Sequence, residues 1–181
     1  MDQSPQIYLH KDEKSNKEKL FYAAAEQYVS SIGLQNVNLT LNKTKEGKPY
    51  FANMPEVHFS ITHSADVWAC AFSASPVGLD IQKYKPYEER IAERFFHKEE
   101  ALFIKNAQNK EAAFFLVWAA KESFVKYTGA GITDAYREFS VIENMALKRQ
   151  IFGVWLTRVE LQEHCAGCIC AKQPGYTIIP F

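Results

Sequence analysis

Hydrophobic positions along this chain recur first with a period of two, then with a helical period, and then with a period of two again. The clearest alternation is Val77-Gly78-Leu79-Asp80-Ile81-Gln82, which predicts a strand. Val77, Leu79 and Ile81 would face the core; Gly78, Asp80 and Gln82 would face the other way. The same period predicts strands at residues 7–9, 37–41, 58–62 and 67–73, and later at 139–142, 152–161 and 168–172. Helical spacing predicts a helix over 19–32, with Leu20, Ala24, Tyr28 and Ile32 on one side and Gly33 as its stop. Three more helices are predicted at 88–96, 98–107 and 111–127. Strands, then helices, then strands indicate an α+β fold with two sheet-containing halves. Residues 67–72 and 165–172 echo one another weakly, both being short and rich in small residues.

Composition narrows the class. At 181 residues, the chain suits one domain or two small halves sharing a core. A hydrophobic fraction of 47% and 13 Phe residues argue for a real core and against disorder. Lys plus Arg equals Asp plus Glu at 21 each, which weighs against a nucleic-acid partner while leaving room for a local basic pocket. No apolar run reaches membrane-spanning length, and residues 1–5 show no basic start or apolar signal segment. A cytoplasmic protein without a membrane partner is expected. Cys165-x-x-Cys168 beside His164 invites a zinc reading, but no second Cys or His pair at ligand spacing accompanies it. These thiols, with Cys70 and Cys170, are expected to be core or surface cysteines.

The helix predicted at 111–127 carries the first candidate chemistry. Ala113, Leu116, Val117, Ala120, Phe124 and Tyr127 form a wide apolar stripe. Phe115, Trp118, Glu122 and Lys126 form a neighbouring stripe, which turns a carboxylate and an ammonium inward. Inward charges need partners, and a metal ion with an anionic ligand would supply both. An ordinary exposed Glu-before-Lys pair fits the same spacing. Gly129 follows as a helix cap. Asp80 and Gln82 point the same way roughly 7 Å apart and, with Glu122, would offer oxygen ligands suited to Mg²⁺. Asp80 ending a strand and capping a turn is the alternative. Thr62-His63-Ser64 at a strand end would bind a phosphate, or else form a hydroxyl turn beside an exposed His. Gly47-Lys48-Pro49 would pin a backbone against a ring or phosphate, or be a plain surface turn.

Taken in order, Gly47-Lys48-Pro49, Phe59-Ser60-Ile61-Thr62-His63-Ser64, Val77 to Gln82, and Trp118-Ala119-Ala120-Lys121-Glu122-Ser123-Phe124-Val125-Lys126 resemble the 4'-phosphopantetheinyl transferase superfamily. More narrowly they resemble its monomeric Sfp type. Ile91-Ala92-Glu93-Arg94-Phe95-Phe96 with Lys98-Glu99 also looks like that family, and the resemblance covers about residues 17–172. It implies transfer of 4'-phosphopantetheine from coenzyme A to a serine of an apo acyl or peptidyl carrier protein, releasing 3',5'-ADP with Mg²⁺ as cofactor. It also implies two pseudo-symmetric α+β halves, each a small sheet on helices, with the ligand cleft between them. The halves would be residues 1–85, with the first three motifs, and 86–181, with the Glu122 helix and the final strands.

By motif position, Asp80 and Glu122 would hold Mg²⁺, with Gln82 a further ligand, directly or through water. Glu122, or a metal-bound water, would take the serine proton, and Lys126 would brace the pyrophosphate. Thr62, His63 and Lys19 would hold the 3'-phosphate, Lys48 and Pro49 would line the adenine, and Lys121 would face phosphate. The chain departs from the family pattern in three ways. Gln82 stands where Glu is common, which predicts weaker metal affinity; Thr62 stands where Ser is common. The basic segment before the first helix is reduced to residues 10–19, with Lys11, Lys14 and Lys17 as substitutes. Phe95, Phe96 and Lys98 are candidates for the carrier rim, with core positions the alternative for Phe95 and Phe96, and Glu88, Glu89, Glu93, Glu99 and Glu100 make that region acidic. Rival readings are a coenzyme A- or carrier-binding homologue without transfer, a metal-dependent phosphohydrolase or nuclease using Asp80, Glu122 and His63, and a structural module.

Overall fold

The chain's computed structural model describes residues 4–12, 14–35, 37–87, 89–131, 134–161 and 164–181. The first elements in chain order are β1 (Gln6–Lys11), α1 (Lys17–Ser31), β2 (Leu41–Lys43), β3 (Pro49–Phe51), β4 (His58–Ser64), β5 (Val67–Ser73) and β6 (Val77–Lys83). Then come α2 (Glu89–Phe95), α3 (Lys98–Asn106), α4 (Lys110–Thr128) and a 3-10 turn at Asp134–Arg137. The chain closes with β7 (Ile142–Glu143), β8 (Ala146–Leu147), β9 (Gln150–Ile151), β10 (Val154–Arg158), β11 (Cys165–Ala171) and β12 (Thr177–Pro180).

Two four-stranded sheets are built, in the orders β12-β1-β5-β4 and β6-β11-β10-β9. Within them β1-β5-β4 and β6-β11-β10 repeat one antiparallel pattern. α1 packs on the first sheet and α4 on the second, so the two halves match element by element. The echo between residues 67–72 and 165–172 falls on β5 and β11, the middle strands of the repeat. The α+β fold with two related halves is therefore present.

Alternation then divides the core into layers. On β5, Trp68, Cys70 and Phe72 face α1, while Val67, Ala69 and Ala71 face the second sheet. On β6, Val77, Leu79 and Ile81 fill that same central layer, as predicted. Cys168 and Cys170 of β11 turn the other way, towards α4. The four cysteines are free thiols, and none belongs to a metal cluster among the described residues.

Several sequence expectations are corrected. The expected division at 85/86 is crossed twice: β6 pairs with β11, and β12 returns to pair in parallel with β1. Residues 37–40 form no strand, because the Asn53 side chain satisfies the Thr40 N–H and the Asn38 carbonyl. Of 139–142, only Ile142 joins a strand. α1 buries Phe21, Ala24, Ala25, Tyr28 and Val29, while Ile32 stays exposed beyond the helix end. α2 is described from Glu89; Glu88, the expected first residue, and residues 1–3 of the expected leaderless start lie outside the described residues. Among the described residues no helix is long and apolar enough to cross a membrane.

Candidate functional site

β4 and β6 belong to different sheets, yet they are joined along their length. The Ser60 hydroxyl accepts the Leu79 N–H at 2.9 Å, Thr62 accepts that of Ile81 at 3.3 Å, and Ser64 accepts that of Lys83 at 3.0 Å. β6 is an edge strand, and every second N–H on its open side would otherwise lack a partner. Three hydroxyls at alternate positions of β4 take the place of a neighbouring backbone. The signal was in the sequence: Ser60-x-Thr62-x-Ser64 puts three hydroxyls on one strand face.

On the other face of β6, Gly78 admits α4. A Cβ at Gly78 would lie 1.9 Å from the Ser123 carbonyl oxygen and 2.4 Å from the Tyr127 nitrogen, so no side chain fits. This close approach aims Glu122 and Lys126 at the end of β6. α4 starts at Asn109, whose side chain accepts the Ala112 N–H, and ends at Gly129 in the left-handed conformation with φ 74°. The Lys48 ammonium donates to the carbonyls of Lys126 at 2.5 Å and Tyr127 at 2.9 Å. A cation there complements the negative end of the helix dipole. Burial holds the Lys48 ammonium below its ordinary pKa.

Asp80 is 2% exposed. Its Oδ1 accepts from Lys126 Nζ at 2.7 Å and from the Thr62 hydroxyl at 3.0 Å. Its Oδ2 accepts from the Gln82 amide at 2.8 Å. Lys126 also donates to the carbonyls of Leu79 at 3.2 Å and Ile61 at 3.4 Å, which ties α4 to both sheets. Glu122 is half-buried and accepts a 2.8 Å hydrogen bond from the Tyr136 hydroxyl. Burial raises the Glu122 pKa, and the Asp80 charge raises it further; Tyr136 and Lys126 act against both. Burial and the Glu122 charge push the Tyr136 hydroxyl far up, so it stays a donor.

A cleft of about 270 Å³ opens beside this cluster, lined by Lys48, Pro49, Ser60, Glu122, Lys126 and Gly129 among others. Two motifs far apart in sequence thus share one cleft. Other expected residues lie elsewhere. Thr62 is 4% exposed and its hydroxyl is engaged with Asp80 and Ile81. His63 is exposed at the end of β4, and Lys19 is exposed on the first turn of α1; neither lines this cleft. Phe96 is buried in the second core, whereas Phe95 is 46% exposed under the Arg94 guanidinium.

Lys121 corrects the sequence reading. It was expected to face phosphate, but it is fully buried and does not line the cleft. Its ammonium donates to Glu100 at 2.9 Å and to the Phe139 carbonyl at 2.7 Å, and it lies 4.0 Å over the Phe139 ring. Adjacent residues on a helix are about 100° apart, so Lys121 cannot share the direction of Glu122. Glu100 also accepts the N–H groups of His97 and Val141, which makes it the hub of this pair. Tyr136 and Glu100 were missed as site supports because both come from segments with no tie to Glu122 in sequence spacing.

The donor set fits a hard divalent cation. Asp80 and Glu122 offer carboxylate oxygens, and Gln82 has an amide oxygen; each carboxylate oxygen has a second lone pair. Two partly desolvated carboxylates within electrostatic reach repel, and a cation relieves that repulsion. No group of three His, Cys, Asp or Glu side chains arranged for a metal occurs among the described residues, so a cation held here would need substrate oxygens and water as further ligands.

A fold of two matched α+β halves, with an acidic pair and a lysine at their junction, defines the class. The sequence model of the 4'-phosphopantetheinyl transferase superfamily matches residues 76–168, and the chain belongs to that family. It is 37% identical over 110 residues to 4'-phosphopantetheinyl transferase Sfp of Bacillus subtilis (strain 168), covering 60% of this chain and 49% of that protein. It is 34% identical over 148 residues to 4'-phosphopantetheinyl transferase ffp of Bacillus subtilis, covering 79% and 62%. With 4'-phosphopantetheinyl transferase psf-1 of Bacillus pumilus it shares 42% identity over 96 residues, covering 52% and 41%. The matched stretches therefore span about half the length of these relatives.

Proposed function

We propose that this chain transfers the 4'-phosphopantetheine group of coenzyme A to a serine of an apo acyl or peptidyl carrier protein, releasing 3',5'-ADP. The observation that carries the reading is one cleft lined by Lys48, Pro49, Glu122 and Lys126, with Asp80 bonded to Lys126 behind it. Membership of the family supports it. The serine oxygen attacks the pyrophosphate phosphorus that bears the pantetheine. A new P–O bond forms, the P–O bond to the nucleotide breaks, and the bridging oxygen leaves with 3',5'-ADP.

Glu122 accepts the serine proton; its half-buried carboxylate, raised in pKa by burial, is suited to that role. Asp80 and Glu122, with Gln82 alongside, would hold a magnesium ion, which would supply charge neutralisation at the pyrophosphate. Lys126 adds positive charge beside the attacked phosphate. Lys48 and Pro49 flank the adenine, and His63 and Lys19 reach the 3'-phosphate. Thr62 acts through Asp80, whose carboxylate it holds. One chain carries all these groups, so a monomer would suffice, and a cytoplasmic location is part of the same proposal.

The test is the mass of an apo carrier protein incubated with the chain, coenzyme A and Mg²⁺. The wild type should add one phosphopantetheine group, and Glu122→Ala and Asp80→Ala should abolish the addition. Coenzyme A binding without any mass shift would instead identify a binding homologue.

A further inference from the structure

We propose that Tyr136 is the positioning residue that fixes the Glu122 carboxylate for its cation. The inference rests on the reading of Glu122 as a magnesium ligand. Tyr136 lies on the 3-10 turn Asp134–Arg137, outside every motif that the sequence singled out. It is 7% exposed, and its hydroxyl donates to Glu122 Oε1 at 2.8 Å. This is the one hydrogen bond to that carboxylate among the described residues.

The support behind Tyr136 is a set of bonded and packed groups. Its ring packs near Phe139 at 6.3 Å, and the Lys121 ammonium lies 5.4 Å from the ring centre. Lys121 is itself anchored to Glu100 and to the Phe139 carbonyl, and Glu100 also holds the Val141 N–H. The segment from Tyr136 to Val141 is thus bound to α3 and α4 at several points. Lys121 and Glu122 are neighbours in sequence, and this one segment contacts both, through the Phe139 carbonyl and the Tyr136 hydroxyl. A glutamate has three side-chain rotations to fix, and a single donor on Oε1 leaves Oε2 directed away from Tyr136. Partners that orient metal-ligating side chains cost roughly 10–100-fold in metal affinity when removed.

The experiment is Mn²⁺ titration calorimetry with saturating coenzyme A, on wild type, Y136F, E122Q and the double variant. Phenylalanine keeps the ring and removes only the donor. Y136F should weaken Mn²⁺ binding roughly tenfold. The same change in the E122Q background should have less than about a twofold effect, because the carboxylate that Tyr136 orients for the cation is gone. The Mg²⁺ concentration for half-maximal carrier modification should rise in Y136F, and turnover at saturating Mg²⁺ should fall less than it does in E122Q.

Wild-type Mn²⁺ affinity in Y136F would overturn the inference, as would an equal loss in the E122Q background. A Y136F chain without the wild-type circular dichroism spectrum would make Tyr136 a fold residue and also overturn it. If the wild type itself binds no Mn²⁺, the magnesium reading falls and takes this inference with it. If the wild type binds and Y136F is unchanged, only the inference falls.

Discussion

The ammonium of Lys126 on α4 and the carboxylate of Asp80 on β6 meet at 2.7 Å, at the line where the two sheets join. Asp80 has almost no exposure, while the Lys126 side chain is 30% exposed. Removing the lysine leaves a buried carboxylate with only neutral donors. Lys126→Met should therefore cost about 2–3 kcal/mol, below the full loss for a wholly buried pair because water reaches the lysine. Urea unfolding measures it, and a change under about 0.5 kcal/mol would remove Lys126 from the structural account.

Gly78 and Gly33 offer a paired comparison. A Cβ on Gly78 runs into the α4 backbone, whereas one on Gly33 meets nothing within 4 Å. Gly33 has φ +86°, so Gly33→Ala carries only backbone strain, about 1 kcal/mol. Gly78→Ala must displace α4 and should cost about 3 kcal/mol or more, with loss of coenzyme A binding. Denaturant curves with coenzyme A titrations check both, and equal costs at the two positions would refute the comparison.

Thr62→Val tests the hydroxyl ladder. Valine keeps the shape but strands the Ile81 N–H and removes a donor from Asp80. The expected loss is about 2 kcal/mol, and Thr62→Ser should recover most of it. Both are read from unfolding midpoints. A neutral Thr62→Val would mean that the edge of β6 is satisfied some other way.

Burial, and secondarily the Lys48 charge, hold His58 below its ordinary 6.5. The unfolded chain therefore takes up the His58 proton at a higher pH than the folded chain does. Stability from this residue is full above pH 6.5 and declines as the pH falls from 6.5 towards the lower folded value. His58→Gln should reduce the fall in melting midpoint between neutral pH and about pH 5. Identical slopes for the two proteins would exclude His58 as a source.

Gln82→Glu replaces an amide donor to Asp80 with a third carboxylate. Without metal the new repulsion should lower the melting midpoint; with Mg²⁺ the extra charge should tighten binding. The gap between variant and wild type should therefore close as Mg²⁺ replaces chelator. An unchanged Mg²⁺ dependence of turnover would show that residue 82 does not influence the metal.

Much of this site was legible because its parts follow local periods. Alternation in residues 77–82 placed Asp80 and Gln82 on one face, and helical spacing placed Glu122 one turn before Lys126. The cap at Gly129 and the turn at Gly47 followed from glycine's tolerance of positive φ, which is 74° and 89° there. Local pattern failed where partners came from afar. Lys121 was assigned to phosphate by its place in the motif, and its partner Glu100, 21 residues earlier, is invisible to helix spacing. Tyr136 was passed over for the same reason.

The amino-acid sequence by itself determined the α+β class and the strand faces, and it pointed to the family and to Asp80, Gln82, Glu122 and Lys126, since within each motif the side chains lie within a turn or a strand of one another. Tertiary structure alone decided that β6 leaves the first half to pair with β11, and that β12 comes back to β1. It alone turned the hydroxyls of Ser60, Thr62 and Ser64 onto β6, and set Lys48 on the end of α4. The physical reason is that a buried donor or charge takes whichever partner the packed chain brings within about 3 Å, and sequence distance places no limit on which one that is.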